Sequence, residues 1–144
     1  KKAKEKDVEV YLPEGVVFAN KFSTEAERKT CSLHNIPTGW QGMDAGPKTL
    51  LSFKEAIISS KTILWNGPVG VFEMENYSKG TIELGHFVSQ STKLGAFSLV
   101  GGGDSVAAVK QFNFQEKVSY VSTGGGAMLE SLEGKTLPGI RALN

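Results

Sequence analysis

The chain has 144 residues, 16 Lys+Arg against 15 Asp+Glu, a formal net charge of +1 and a single cysteine. That length fits one compact domain, and the even charge leaves no basic footprint for a nucleic-acid partner. No apolar run reaches the ~20 residues of a bilayer span, no signal peptide opens the chain, and Cys31 alone excludes an internal disulfide and suits a reducing, cytoplasmic setting.

The opening KKAKEKD reads as a solvated tail or helix end. Residues 8–12 (VEVYL) read as a strand closed by Pro13, and residues 13–46 as irregular, with turn signals at PEG, IPTG and DAGP. Residues 47–60 form a helix with Pro47 at its first position and Leu50, Phe53, Ile57 and Ile58 on one face. A strand at 62–66 breaks at GPVG. Ile82, Phe87 and Val88 mark a helix over 78–92, weakened by Gly80 and Gly85. Then follow a strand at 96–100, a helix at 104–112, a strand at 118–122 whose alternation suits a sheet edge, and a helix at 126–133 stopped by Gly134 and Pro138.

Strands alternating with helices imply an α/β fold, a Rossmann-like parallel sheet with helices in three layers. Right-handed crossovers then bring the glycine turns at 67–70, 101–103 and 124–126 to the carboxyl edge of the sheet, where ligands bind in such folds. Seventeen glycines exceed the usual ~7% share, and they sit at the ends of apolar segments. At a helix start, unpaired N–H groups and the helix dipole attract anions, and glycines let a phosphate approach the backbone. GGGDS and TGGGA therefore read as phosphate turns. Asp104 would repel the anion unless Mg²⁺ lay between them; its other reading is a helix N-cap. A P-loop is excluded because Pro47 stands where GMDAGPKT would need a glycine, and GGGAML lacks the last small residue of a dinucleotide fingerprint.

The motifs WNGPVGVFE (65–73), GGGDSVAAV (101–109) and VSTGGGAMLESLEGKTLPGI (121–140), with GWQGMDAGPKT (39–49) before them, resemble the C-terminal part of phosphoglycerate kinases. The likeness runs from about Val8 to the end of the chain. It implies a piece of the nucleotide-binding domain of a two-domain, monomeric, cytoplasmic enzyme of glycolysis. Such enzymes move a phosphoryl group from 1,3-bisphosphoglycerate to Mg-ADP, giving 3-phosphoglycerate and ATP. By the same resemblance, Gly102, Gly103, Asp104 and Ser105 hold the terminal phosphates, with Asp104 on Mg²⁺. Gly42, Met43 and Val71 line the adenine and ribose slot, Glu73 accepts from the ribose hydroxyls, and Asn66 lies near the phosphates. Gly103 and the turn Gly124, Gly125 and Gly126 stabilise the phosphoryl group in transfer.

Three departures stand out: Ser105 replaces a threonine, Met128 replaces a small residue, and YLPEG lacks an aspartate usual in the family. Met128 would crowd the site or pack into the core. The chain starts at Lys1 without an initiator methionine, which suits a piece of a longer protein. The substrate domain and a charge-neutralising lysine would then lie before Lys1, leaving these residues inactive alone and Val8 to Leu12 as an edge open to association. A binding module without chemistry is the alternative reading. Cys31 is expected to be buried, His34 and His86 to serve surface or packing roles, Trp40 and Trp65 to pack in the core, and Glu130 and Glu133 to be solvated.

Overall fold

A computed structural model describes residues 1–143. Where the length suggested one domain, the chain divides into two compact units: Lys1–Ser59 with Val69–Leu84, and Ser60–Pro68 with the residues from Gly85 onward.

The first unit contains the short helix α1 (Lys2–Glu5), strands β1 (Gly15–Ala19), β2 (Arg28–Ser32) and β3 (Gln41–Ala45), and helix α2 (Pro47–Ser59). The strands form an antiparallel sheet in the order β2-β1-β3. This corrects the irregular reading of residues 13–46. The apolar GVVFA takes the centre, where almost every residue is buried, while the polar RKTCS forms an exposed edge. Alternation was invisible in β3 because its register breaks: Val17 pairs with Asp44 and Phe18 with Gly42, so Met43 is skipped as a bulge. Thr49 on α2 ties the helix to β1; its Oγ1 accepts the Glu14 and Gly15 N–H groups and donates to the Gly15 carbonyl at 2.6 Å. The core gathers Ala19, Met43 and Tyr77, with Val17, Ala26, Val71 and Met74 packed on it.

Residues 8–12 do not form the expected strand. Among the described residues no strand pairs with them, and Val8 and Leu12 stand 56% and 69% exposed. A strand without a ladder partner leaves its backbone hydrogen bonds to water and has nothing to hold it extended.

The second unit carries a parallel sheet, β4 (Thr62–Trp65), β5 (Phe97–Val100) and β6 (Tyr120–Val121), in the order β4-β5-β6. As the alternation at 118–122 suggested, β6 is an edge strand. Helix α3 (Lys79–Lys93) crosses the boundary between the units at Leu84 and Gly85; α4 (Gly103–Gln111), α5 (Gly125–Leu132) and α6 (Pro138–Arg141) follow in the second. Trp65, Ser98 and Val100 point to the buried face of the sheet, where Thr92 of α3 meets Ser98, Oγ1 to Oγ, at 2.7 Å. Leu64, Phe97 and Tyr120 point the other way and are exposed. Gly85, unfavourable to a helix by propensity, has a packing reason: a Cβ there would overlap the Phe114 ring. Across that ring His86 stands edge-on at 5.1 Å, the packing role expected of it.

Candidate functional site

Within the second unit, the strand ends and helix starts meet as the sequence implied. The Gly101 N–H donates to the Trp65 carbonyl, continuing the β4–β5 ladder into the first glycine turn. Gly102 follows at φ +88°, a conformation that only glycine takes without strain, and caps α4. The second turn ends on Gly124, which caps α5. These turns pack against each other. A Cβ on Gly125 would overlap the Gly102 nitrogen and lie 2.7 Å from its Cα, so the start of α5 rests on the cap of α4.

Both helix starts lack a side-chain cap. Their first-turn N–H groups therefore have no partner from within the helix or from a capping side chain. The positions around them are open: a Cβ at Gly103, Gly124 or Gly126 would meet nothing within 4 Å. Two adjacent, uncapped, glycine-lined helix starts make an open donor surface suited to an anion with several oxygens.

Asp104 is the second residue of α4, exposed, with Gly102 in the capping position before it and no cap hydrogen bond from a side chain. That removes the N-cap reading. An exposed carboxylate beside a surface suited to a polyoxygen anion is a donor set that would fit Mg²⁺, which takes one or two carboxylates along with phosphate oxygens. Among the described residues no group of three or more His, Cys, Asp or Glu could hold a metal ion by itself. When bound, Mg²⁺ would neutralise phosphate charge, and Asp104 is the side chain that would hold it.

Ser105 differs from its neighbours. It is fully buried, and its Oγ accepts the Gly67 N–H at 2.5 Å, fixing the turn after β4 to α4. Asn66 is exposed at the end of β4, its Oδ1 against Gly102 in the space a Cβ would occupy there. Trp65 is buried and donates from Nε1 to the Gly67 carbonyl at 2.8 Å. Met128 is half-buried, its thioether lying where a Cβ on Gly101 would be. It thus packs beneath the first turn instead of filling the open side at Gly103 and Gly126.

Gly42, Met43, Val71 and Glu73 fall in the first unit. Gly42 is exposed with open space beside it, and Glu73 is exposed. Met43 is 2% exposed, so its side chain belongs to the core, and its carbonyl accepts the Val71 N–H at 2.9 Å. That bond joins the bulge of β3 to the loop that bears Val71 and Glu73.

The same unit holds Asp44, which sequence reasoning passed over. Burial pushes its carboxyl above the ordinary value, while the Gly80 and Ala45 N–H groups and the Lys79 charge pull it back. No spacing rule marks an aspartate inside QGMDA as buried; only the β3 bulge shows it. Elsewhere in this unit, a cavity of about 650 Å³ is lined by Pro13, Glu14, Thr30, Cys31, His34 and Lys48 among others, none of them selected from the sequence for a site. Cys31 is half-buried there, and its Sγ donates to the Ser32 carbonyl at 3.0 Å. Among the described residues no helix is long and apolar enough to cross a membrane.

A family model described as phosphoglycerate kinase matches residues 1–135. The chain is 54% identical over 143 residues to the phosphoglycerate kinase of Porphyromonas gingivalis, with 99% of this chain and 34% of that protein covered. It is 51% identical over 143 residues to the one from Microcystis aeruginosa, with 99% and 36% covered. The solved phosphoglycerate kinase of Coxiella burnetii matches with a TM-score of 0.91 at 44% identity, over 97% of this chain and 35% of that one. The chain spans about a third of the length of these relatives. A family match over residues 1–135 and a TM-score of 0.91 agree with the α/β fold and its glycine turns: the chain belongs to the phosphoglycerate kinase family.

Proposed function

We propose that these residues are the C-terminal, nucleotide-binding part of a cytoplasmic glycolytic phosphoglycerate kinase. In that role they bind Mg-ADP or Mg-ATP while the phosphoryl group passes between 1,3-bisphosphoglycerate and ADP. The observation that carries the reading is the pair of uncapped glycine helix starts packed together in the second unit. Backbone amides of Gly103 and Asp104, and of Gly125 and Gly126, receive the phosphates, and Asp104 holds Mg²⁺. Asn66 lies beside the first turn and supports it.

Phosphoryl transfer needs no nucleophilic side chain from this chain. It needs the acceptor oxygen and the phosphoryl group in line, with donors aimed at the equatorial oxygens. Amides fixed at helix starts supply such donors without reorganising during the step. Ser105 acts at one remove, through its bond to the Gly67 N–H. Gly42, Val71 and Glu73 receive the adenosine end, Glu73 accepting from the ribose hydroxyls.

Covering about a third of its relatives' length, the 144-residue chain by itself is expected to bind nucleotide weakly and to form no ATP. A coupled assay detecting ATP formation by the chain alone would contradict this. Replacing Asp104 with Ala tests the site: Mg-dependent ADP affinity falls about tenfold or more while the melting temperature hardly moves. A sharp drop in melting temperature with affinity unchanged would show a purely structural Asp104 and overturn the metal role.

A further inference from the structure

Asp44 is the one carboxylate among the buried polar and charged residues described, at 6% exposure. Burying a carboxylate is costly unless its oxygens are satisfied. Here backbone groups satisfy them. The Ala45 N–H donates to Oδ1 and the Gly80 N–H to Oδ2, each at 2.8 Å. Gly80 is the second residue of α3, so Asp44 reaches across 36 positions to serve a helix start it does not belong to.

The slot around the carboxylate is shaped by two glycines. A Cβ on Gly70 or on Gly80 would overlap Asp44 Oδ1. The next residue of the loop, Val71, donates its N–H to Met43, the neighbour of Asp44 on β3. Two adjacent residues of β3 thus grip two partners: Met43 the loop, Asp44 the first turn of α3. Gly42 lies on one arm of this clamp, and Val71 and Glu73 on the other. All belong to the first unit.

We propose that Asp44 is a positioning residue for the nucleoside end of the nucleotide. By bridging β3 and the start of α3, it sets the separation between Gly42 on one arm and Val71 with Glu73 on the other. The proposal rests on the nucleotide reading above. An Asn at this position keeps one acceptor oxygen but turns an NH₂ toward the second N–H donor, so one bond is lost and the slot must open.

The test uses the 144-residue chain and its D44N variant, labelled with ¹⁵N and titrated separately with adenosine and with Mg-pyrophosphate. D44N is expected to weaken adenosine binding about tenfold, the equivalent of ~1.4 kcal/mol, and to leave pyrophosphate binding unchanged. Should D44N fold poorly, Gly80→Ala provides the second variant: its Cβ displaces the same carboxylate, and the same selective loss is expected. Adenosine affinity unchanged in a folded variant, or both affinities lost together, overturns the proposal. If adenosine leaves the wild-type amides of Gly42, Val71 and Glu73 unmoved while Mg-pyrophosphate moves those of Gly103 and Gly126, the proposal fails and the phosphate site stands. If neither ligand moves any of them, the nucleotide reading fails and takes the proposal with it.

Discussion

Two neighbouring glycines on one helix should respond in opposite directions to the same substitution. Gly125 and Gly126 are the first two residues of α5. By propensity alone, Ala at either place should stabilise by roughly 0.5–1 kcal/mol. At Gly126 nothing within 4 Å would meet the new methyl, so that gain should be kept. At Gly125 the methyl would overlap the Gly102 nitrogen and sit 2.7 Å from its Cα. Those are backbone atoms, which cannot rotate away, and overpacking of this kind costs about 1–3 kcal/mol. The propensity gain is common to both, so the two variants should differ by about 1–3 kcal/mol, or roughly 3–10 °C in melting temperature for a chain of this size. Calorimetry or circular dichroism of Gly125→Ala and Gly126→Ala reads the difference. Mg-ADP titration of the same samples should show weakened binding in both, by distortion of the turn at Gly125 and by a methyl in the phosphate space at Gly126. Two variants that shift together in stability would refute the packing of α5 on the α4 cap. Full affinity in a folded Gly126→Ala would refute the open amide surface as the phosphate site.

Gly102→Ala should destabilise the second unit by about 1–2 kcal/mol, because its φ of +88° is unfavourable to any Cβ; a neutral melt would contradict the strained cap. Glu73→Ala should weaken adenosine and ADP by the same factor, about tenfold, without touching pyrophosphate binding; loss confined to pyrophosphate would contradict the ribose role. For Asp44, burial raises the native pKa above the ordinary 3.8, so the folded state holds its proton longer than the unfolded chain does. The linked stability is complete below 3.8 and lost as pH rises through the native value. Melts of wild type and D44N from about pH 3 to about pH 7 should show their difference moving against the wild type across that window, and a difference moving in its favour would contradict the raised pKa.

The parallel sheet and its helices were legible because their apolar runs are short, continuous and punctuated by glycine, as at FSLVGGG. The first unit was not. In β2 the residues RKTCS form a polar edge, and in β3 the bulge at Met43 breaks the alternation that would have marked a strand. The segment VEVYL misled in the opposite direction: its composition favours a strand, but strands need partners, and the described residues offer none.

The two glycine turns could be read in sequence because each closes an apolar strand and opens a helix, and the structure places Gly102 and Gly124 at those helix caps. What the sequence could not show was which polar atoms are already engaged. Ser105 resembles a phosphate contact, and its hydroxyl oxygen already takes the Gly67 N–H, which leaves its O–H to donate. Met43 looked like a slot wall, and its side chain lies in the core. Asp44 looked like nothing in particular until its two N–H partners, one of them 36 residues away, came into view.

The most direct test is a ¹⁵N–¹H titration of the chain with Mg-ADP. The amides of Gly103, Asp104, Gly125 and Gly126 should move together along one saturable curve, with no response when Mg-adenosine replaces the diphosphate. If those four amides stay still while Mg-ADP binds elsewhere, or if the two turns saturate at unrelated concentrations, they do not hold one polyphosphate and the account fails.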